Sequence, residues 1–316
     1  AQIAPAVAAA IARYGAERVA VVMGTSTSGI GEGERAMCSH ASNGHWPADY
    51  DYAQQEMGTT AQFVRLRSGA QGPAWTLSTA CSSSAKALVS AARLLRAGVV
   101  DAVIAGGADS LCRFTVAGFS ALESVSALRC NPFSQHRSGI NIGEGAALFL
   151  LTRDIGPVAL AGWGESSDAH HMSAPDPQGQ GAIDALRQAL KRAVWSPADV
   201  DYVNLHGTAT DHNDAMQSLA VSEVLGTDVP ASSTKPLTGH TLGASGAIEA
   251  ALCWMMLAEN PLQRLPPHWW DGAVDEALPE LSLVAPGTRL ARPLRRILSN
   301  SFAFGGSNAV LALERR

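Results

Sequence analysis

The 316-residue sequence is 47% hydrophobic and 16% charged with 30 glycines, a globular composition that excludes disorder, collagen and coiled coil. Its length calls for two domains or one large duplicated unit. A net charge of −5 excludes a general attraction to nucleic acid or anionic membrane, so an acidic partner must find a local basic patch.

In chain order, residues 4–14 read as an amphipathic helix without the basic flank of a signal peptide, and 18–23 as a strand ending in a Gly-Thr turn. A helix over 82–97 follows an apolar run, then strands over 101–106 and 146–151. A further strand is read at 157–166, a helix at 181–194, a strand at 201–205, a helix at 241–258, and strands at 296–300 and 309–313. The longest apolar stretch, 247–258, contains Glu249 and is too short to span a bilayer. Cys38, Cys81, Cys112, Cys130 and Cys253 lack the close pairing of zinc or CxxC motifs, which predicts a reducing compartment.

Three ordered self-similarities organise these elements. VVMGTSTSG (21–29) aligns with VNLHGTATDH (203–212), placing Met23 on His206; STACSSSAKAL (78–88) aligns with LTGHTLGASGAIEA (237–250), placing Cys81 on His240; INIGEGAALFLL (140–151) aligns with FAFGGSNAVLAL (302–313), placing Gly143 on Gly305. Spacing agrees, with 62 residues from Cys81 to Gly143 and 65 from His240 to Gly305. The simpler reading is unrelated strand–helix turns sharing turn chemistry. Two halves, 1–153 and 154–316, are therefore expected. The strand at 157–166 has no counterpart in the first half, which predicts a strand and its connection ahead of residue 1.

Cys81 ends an apolar strand and precedes Ser82-Ser83-Ser84, residues suited to helix capping. Its sulfur is then expected near a helix N-terminus that favours the thiolate, on a turn that exposes the side chain. An inert buried cysteine is the alternative, and it is retained for the other four. His206 should project from a strand's C-terminal edge. A pseudo-two-fold between the halves would bring His240 to Cys81. Two neutral imidazoles beside a thiol suit hydrogen bonding to a developing enolate oxygen, whereas a hydrolase needs only one base. His170, His171 and His212 lack repeat support. Lys235 could pair with Asp214 or Glu249, or be an exposed loop lysine. Amides in the Phe304-Gly305-Gly306 turn suit an oxyanion, with Phe304 shielding the thiol, although a plain hairpin is the simpler reading. The GxGxxG dinucleotide motif fails in the glycine-rich segments.

Together these motifs resemble the β-ketoacyl carrier-protein synthases of the thiolase superfamily, nearly throughout the chain. TACSSSAKAL, HGTAT, STKPLTGHTLGASGAIEA and NSFAFGGSN carry the likeness, with AGGADS, RSGINIGEGAA and SSDAHHMSAPDP as smaller matches. The resemblance implies an α/β thiolase-like fold, two βαβαβαββ halves in an α-β-α-β-α layering. It implies Cys81 as nucleophile, His206 and His240 as its partners, Lys235 and Phe304 in the catalytic set, and Asp214 and Glu249 as support. Thr208, Thr210, Phe302 and Gly305 would contact substrate. The implied reaction is condensation of a Cys81-bound acyl group with malonyl carrier protein, using no metal or cofactor. The oxyanion would lie against the amides of Cys81 and Phe304. The implied partners are acyl carrier protein and a second subunit, in a homodimer or a ketosynthase/chain-length-factor heterodimer, with neither nucleic acid nor membrane, in the cytoplasm.

Departures from the family pattern are Ala303 before Phe304, expected to stiffen that loop, Gln217 in place of a glutamate, expected to weaken the charges around Lys235, and NPFS at 131–134. WPADYDYAQQE (46–56) with CNPFS resembles aryl-polyene-type synthases. The competing readings are a non-catalytic chain-length subunit, a cysteine hydrolase and an acyl-binding module.

Overall fold

The computed structural model describes residues 2–316. Its elements are α1 (Ala4–Tyr14), β1 (Val19–Gly24), α2 (Ile30–Asn43), α3 (Thr59–Ser68), β2 (Ala74–Leu77), α4 (Ser83–Arg96), β3 (Ala102–Asp109), α5 (Arg113–Ala121) and β4 (Gly145–Thr152). They continue as β5 (Val158–Ser167), α6 (Gln180–Ala193), β6 (Tyr202–Asn204), α7 (Asp211–Leu225), β7 (Ala231–Ser232), α8 (Lys235–Thr238), α9 (Ser245–Ala258), β8 (Arg296–Ala303) and β9 (Ser307–Arg315).

Side-chain alternation along β1 sets the layering, because successive residues of a strand face opposite ways. Val19, Val21 and Met23 pack with Val7, Ala10 and Ala61 of α1 and α3, while Ala20 and Val22 face the opposite core with Leu88 of α4 and Leu257 of α9. That central core continues into Ile297 and Leu311 on the second sheet. The second sheet's other face meets Ile183, Leu186, Met216 and Ala220 of α6 and α7. Helices and sheets thus alternate as α-β-α-β-α. Every residue of β1 is buried, as expected for a strand covered on both sides.

The sheets run β2-β1-β3-β4 and β5-β9-β8-β6-β7. Parallel pairs β1–β2 and β1–β3, with antiparallel β3–β4, are repeated by β6–β7, β6–β8 and β8–β9. β5 adds antiparallel to β9. β4, the counterpart of β9, has no such neighbour among the described residues.

The central helices meet closely because α9 carries Gly246 at the crossing, where a Cβ would come within 2.8 Å of Ala85. The Ala247 amide donates to Ser84 Oγ across the same crossing at 2.8 Å. These two contacts set the starts of α4 and α9 against each other. One boundary differs from the sequence reading: α9 begins at Ser245, and Leu242–Ala244 form a 3-10 turn before it. Leu242 has φ 50°, a left-handed conformation that stops the helix from running back to His240.

Candidate active site

Cys81 lies between β2 and α4, after Ala80 at φ 50°. Ser82 and Ser83 do not cap the helix. Their hydroxyls donate back to the carbonyls of Thr79 and Ala80 at 2.9 and 2.6 Å, which fastens the turn that presents the sulfur. The expectation of an exposed thiolate is corrected here, since Cys81 is only 5% exposed. Burial pushes the thiol up to about 11, and this outweighs the lowering by Lys235 and by the backbone amides of Phe304 and Cys81. The resting group is a thiol.

The imidazole of His240 stands against it, with Nε2 3.0 Å from Sγ, and Ser245 Oγ lies 3.2 Å from Nδ1. A hydroxyl both donates and accepts, so Ser245 serves either tautomer of His240. His206, beyond the end of β6, meets the His240 ring edge-on with centroids 5.2 Å apart. Burial, then the Lys235 charge, drives both imidazoles well below the ordinary histidine value, and both are neutral near pH 7.

Lys235 is 1% exposed at the start of α8 rather than in an open loop. Its Nζ donates to Glu249 Oε1 and to the His206 carbonyl, each at 2.5 Å, and reaches His206 Nδ1 at 3.3 Å. An ammonium only donates, so Nδ1 of His206 is the acceptor and the ring proton sits on Nε2. Of the two carboxylates considered, Glu249 takes the lysine and Asp214 does not. Asp214 accepts from the amides of Phe133 and Thr208 at 2.8 and 3.1 Å, and burial raises it to about 6. Gln217 is not part of the lysine network either, for its Oε1 accepts from the Gly207 amide at 2.8 Å and steadies the turn behind His206.

The loop after His240 is pinned from the first half. Asp109 Oδ2 accepts from the Ala244 amide at 2.9 Å, and Oδ1 accepts from Thr25 Oγ1 and the amides of Ser26 and Thr27 at 2.6 to 2.8 Å. The aligned Gly-Thr turn of the first half thus buttresses the second-half histidine.

A cleft leads to the sulfur, lined by Thr208, Thr210, Phe302 and Phe304 together with His206 and His240. Thr208 and Thr210 bond to each other through their hydroxyls at 2.9 Å. Gly305 lies outside this lining, its amide tied to the Met172 carbonyl at 2.9 Å. Phe304 packs on Phe119 of α5 with ring centroids 5.6 Å apart. Sequence reasoning missed Phe119, Ile140 and Asn213 as lining residues and left His212 as either structural or substrate-adjacent; it lines the cleft. Phe119 belongs to no repeat, so no periodic signal marks it.

A duplicated five-layer α/β fold with a thiol and two imidazoles at the junction of its halves defines the thiolase-like class of enzymes. The pattern for the N-terminal domain of beta-ketoacyl synthase matches residues 7–155 and that for its C-terminal domain matches 158–268. A chain of the solved structure of the ketosynthase ApeO in complex with its chain length factor ApeC, from Xenorhabdus doucetiae, is 50% identical with a TM-score of 0.94, over 100% of this chain and 79% of that one. A beta-ketoacyl synthase from Burkholderia phymatum STM815 is 31% identical with a TM-score of 0.85, over 95% and 76%. The 3-oxoacyl-[acyl-carrier-protein] synthase 2 of Rhizobium meliloti (strain 1021) is 36% identical over 80% of this chain. The chain belongs to the beta-ketoacyl synthase family. It spans 63% of the length of the Rhizobium meliloti relative. No helix among the described residues is long and apolar enough to cross a membrane.

Proposed function

We propose that the protein catalyses decarboxylative condensation of an acyl thioester with malonyl carrier protein, in fatty-acid, polyene or polyketide-type biosynthesis. The observation that carries this reading is the 3.0 Å contact between Cys81 Sγ and His240 Nε2, with the neutral His206 imidazole beside it. In the first step the Cys81 sulfur attacks the acyl carbonyl. His240 Nε2 takes the thiol proton and returns it to the departing carrier thiol. The tetrahedral oxyanion lies against the amides of Cys81 and Phe304, where preorganised donors lower the barrier.

In the second step malonyl carrier protein enters past Thr208 and Thr210. The bond to its carboxylate breaks, carbon dioxide leaves, and the electron pair passes to the thioester oxygen as an enolate. His206 Nε2 donates to that oxygen, as does His240 in the tautomer that Ser245 permits. The enolate carbon attacks the acyl group, and collapse of the adduct expels the Cys81 sulfur with the β-ketoacyl thioester as product.

Lys235 positions His206 and fixes its tautomer, Glu249 balances the lysine charge, and Asp214 holds the turn that carries Thr208. In this reading residues 1–153 supply the nucleophile and 154–316 the histidines. Acyl carrier protein is the carrier, and the chain takes the ketosynthase place in a homodimer or a ketosynthase/chain-length-factor pair. The Rhizobium meliloti relative, a 3-oxoacyl-[acyl-carrier-protein] synthase, and the ApeO–ApeC complex support these partners. A cytoplasmic location keeps the thiol reduced. The aryl-polyene subtype, suggested by residues 46–56, is included in the proposal.

The test is incubation with an acyl carrier-protein thioester, mass analysis of the Cys81 peptide, and then addition of malonyl carrier protein. An acyl adduct followed by a β-ketoacyl product is expected. No adduct and no product would sink the reading, and release of free acid alone would turn it toward a hydrolase.

A further inference from the structure

Lys86 lies one turn into α4 from Cys81, and the mechanism above leaves it without a role. It is partly buried, and desolvation lowers its pKa, with Glu165 opposing and Arg93 reinforcing. Glu165 is engaged by Arg93. Among the described residues Lys86 Nζ makes one hydrogen bond, to Ser307 Oγ at 2.6 Å. Ser82, next to the nucleophile, has its Oγ 3.1 Å from the same Oγ, within hydrogen-bond distance.

Ser307 opens β9 directly after the Phe304-Gly305-Gly306 turn and pairs with Ala303 across it. Gly305 and Gly306 have φ 81° and 72°, conformations that glycine enters without strain, so the turn itself resists movement little. Its other side is tied to the segment after β5. The Asp168 amide donates to the Gly306 carbonyl at 2.9 Å, and Asn308 Nδ2 donates to Asp168 Oδ1 at 2.6 Å. On the α4 side the Lys86–Ser307–Ser82 contacts are the tie. They join the hinge of the turn to the residue that follows Cys81, while Phe304 of the same turn lines the cleft together with Cys81.

We propose that Lys86 is a positioning residue, a latch that holds the hinge of the Phe304 turn against the start of α4 and thereby sets the Phe304 amide relative to the Cys81 sulfur. This rests on the condensing reading for its catalytic consequence, but the latch itself is a property of the turn.

Two measurements separate the parts. Hydrogen exchange at the amides of residues 304–306 reads the latch, and the rate of acyl transfer from an acyl carrier-protein thioester to Cys81 reads its effect. In K86M, exchange at these amides rises by about tenfold and acyl transfer slows by about the same factor, less than the loss of a whole oxyanion donor would cost. S307A, which removes the acceptor and leaves the charge, gives the same pattern and carries the test if K86M does not fold. S307T keeps the hydroxyl and stays near the parent. The K86M/S307A double variant is no worse than either single, because both remove one interaction. Unchanged exchange in S307A, or additive losses in the double variant, overturns the latch. If the parent protein takes no acyl group, the condensing reading fails while exchange still decides the latch.

Discussion

His240 Nε2 lies 3.0 Å from Cys81 Sγ across 159 residues of chain, and burial keeps both partners uncharged at rest. The thiolate therefore forms during proton transfer to His240 rather than standing ready. An ordinary cysteine titrates near pH 8.5 and alkylates at nearly its full rate by pH 9.5. With its thiol pushed up to about 11, Cys81 alkylation by iodoacetamide should still be rising between pH 9 and pH 10. A plateau by about pH 8 would mean a resting thiolate–imidazolium pair and contradict the neutral assignment.

Replacing His206 separates the two chemical steps. The His206 ring carries its proton on Nε2 because Lys235 occupies Nδ1, so in the proposed reaction it donates to the enolate and takes no part in accepting the thiol proton. His206→Ala should lower malonyl decarboxylation by about 100-fold to 1000-fold while Cys81 still takes up acyl groups. Carbon dioxide release and the acyl mass adduct, measured on the same preparation, check this. Equal loss of both would assign His206 to the acyl step as well.

The Lys235–Glu249 pair is 1% and 2% exposed, so neither charge can turn to water. Glu249→Gln leaves the ammonium unbalanced and should destabilise the fold by about 3–5 kcal/mol in urea titrations. A Lys235→Met/Glu249→Leu double variant should recover most of that stability and remain catalytically impaired, since His206 Nδ1 loses its donor. A double variant with parental activity would show the pair to be structural only.

The same three side chains that suit condensation also suit a soft divalent cation. Cys81 Sγ and one nitrogen each of His206 and His240 lie within 4.8 Å of one another, and neutral imidazoles with a deprotonatable thiol are zinc ligands. Zinc should block alkylation of Cys81 reversibly, with recovery on chelation, whereas magnesium should not. Undiminished alkylation in saturating zinc would show that the site cannot open to the longer separations zinc requires.

Much of the fold was legible because duplication writes each instruction twice. Helices over 4–14 and 82–97 and the closing strands emerged within a few residues of their observed limits, since burial on both faces demands nearly unbroken apolar runs in β1, β3 and β9. Elements largely outside the three aligned segments, such as α5 with Phe119 and α7 with Asn213, were not legible, because nothing in their periodicity shows which surface they cover. Asp214 was one of two carboxylates expected to pair with Lys235, and Gln217 was tied to the lysine network through the family pattern. Their carboxyl and amide oxygens instead bind backbone amides, a choice made by the turn geometry behind His206.

The sequence by itself determined the two-half α/β plan and which cysteine and histidines occupy equivalent positions, because spacing and hydrophobic period are local properties of the chain. Only the tertiary structure decided the state and reach of those groups. The thiol's burial, the lysine's choice of Glu249, the tautomer of His206 and the meeting of Phe304 with Phe119 depend on solvent exclusion and on contacts between elements far apart in sequence.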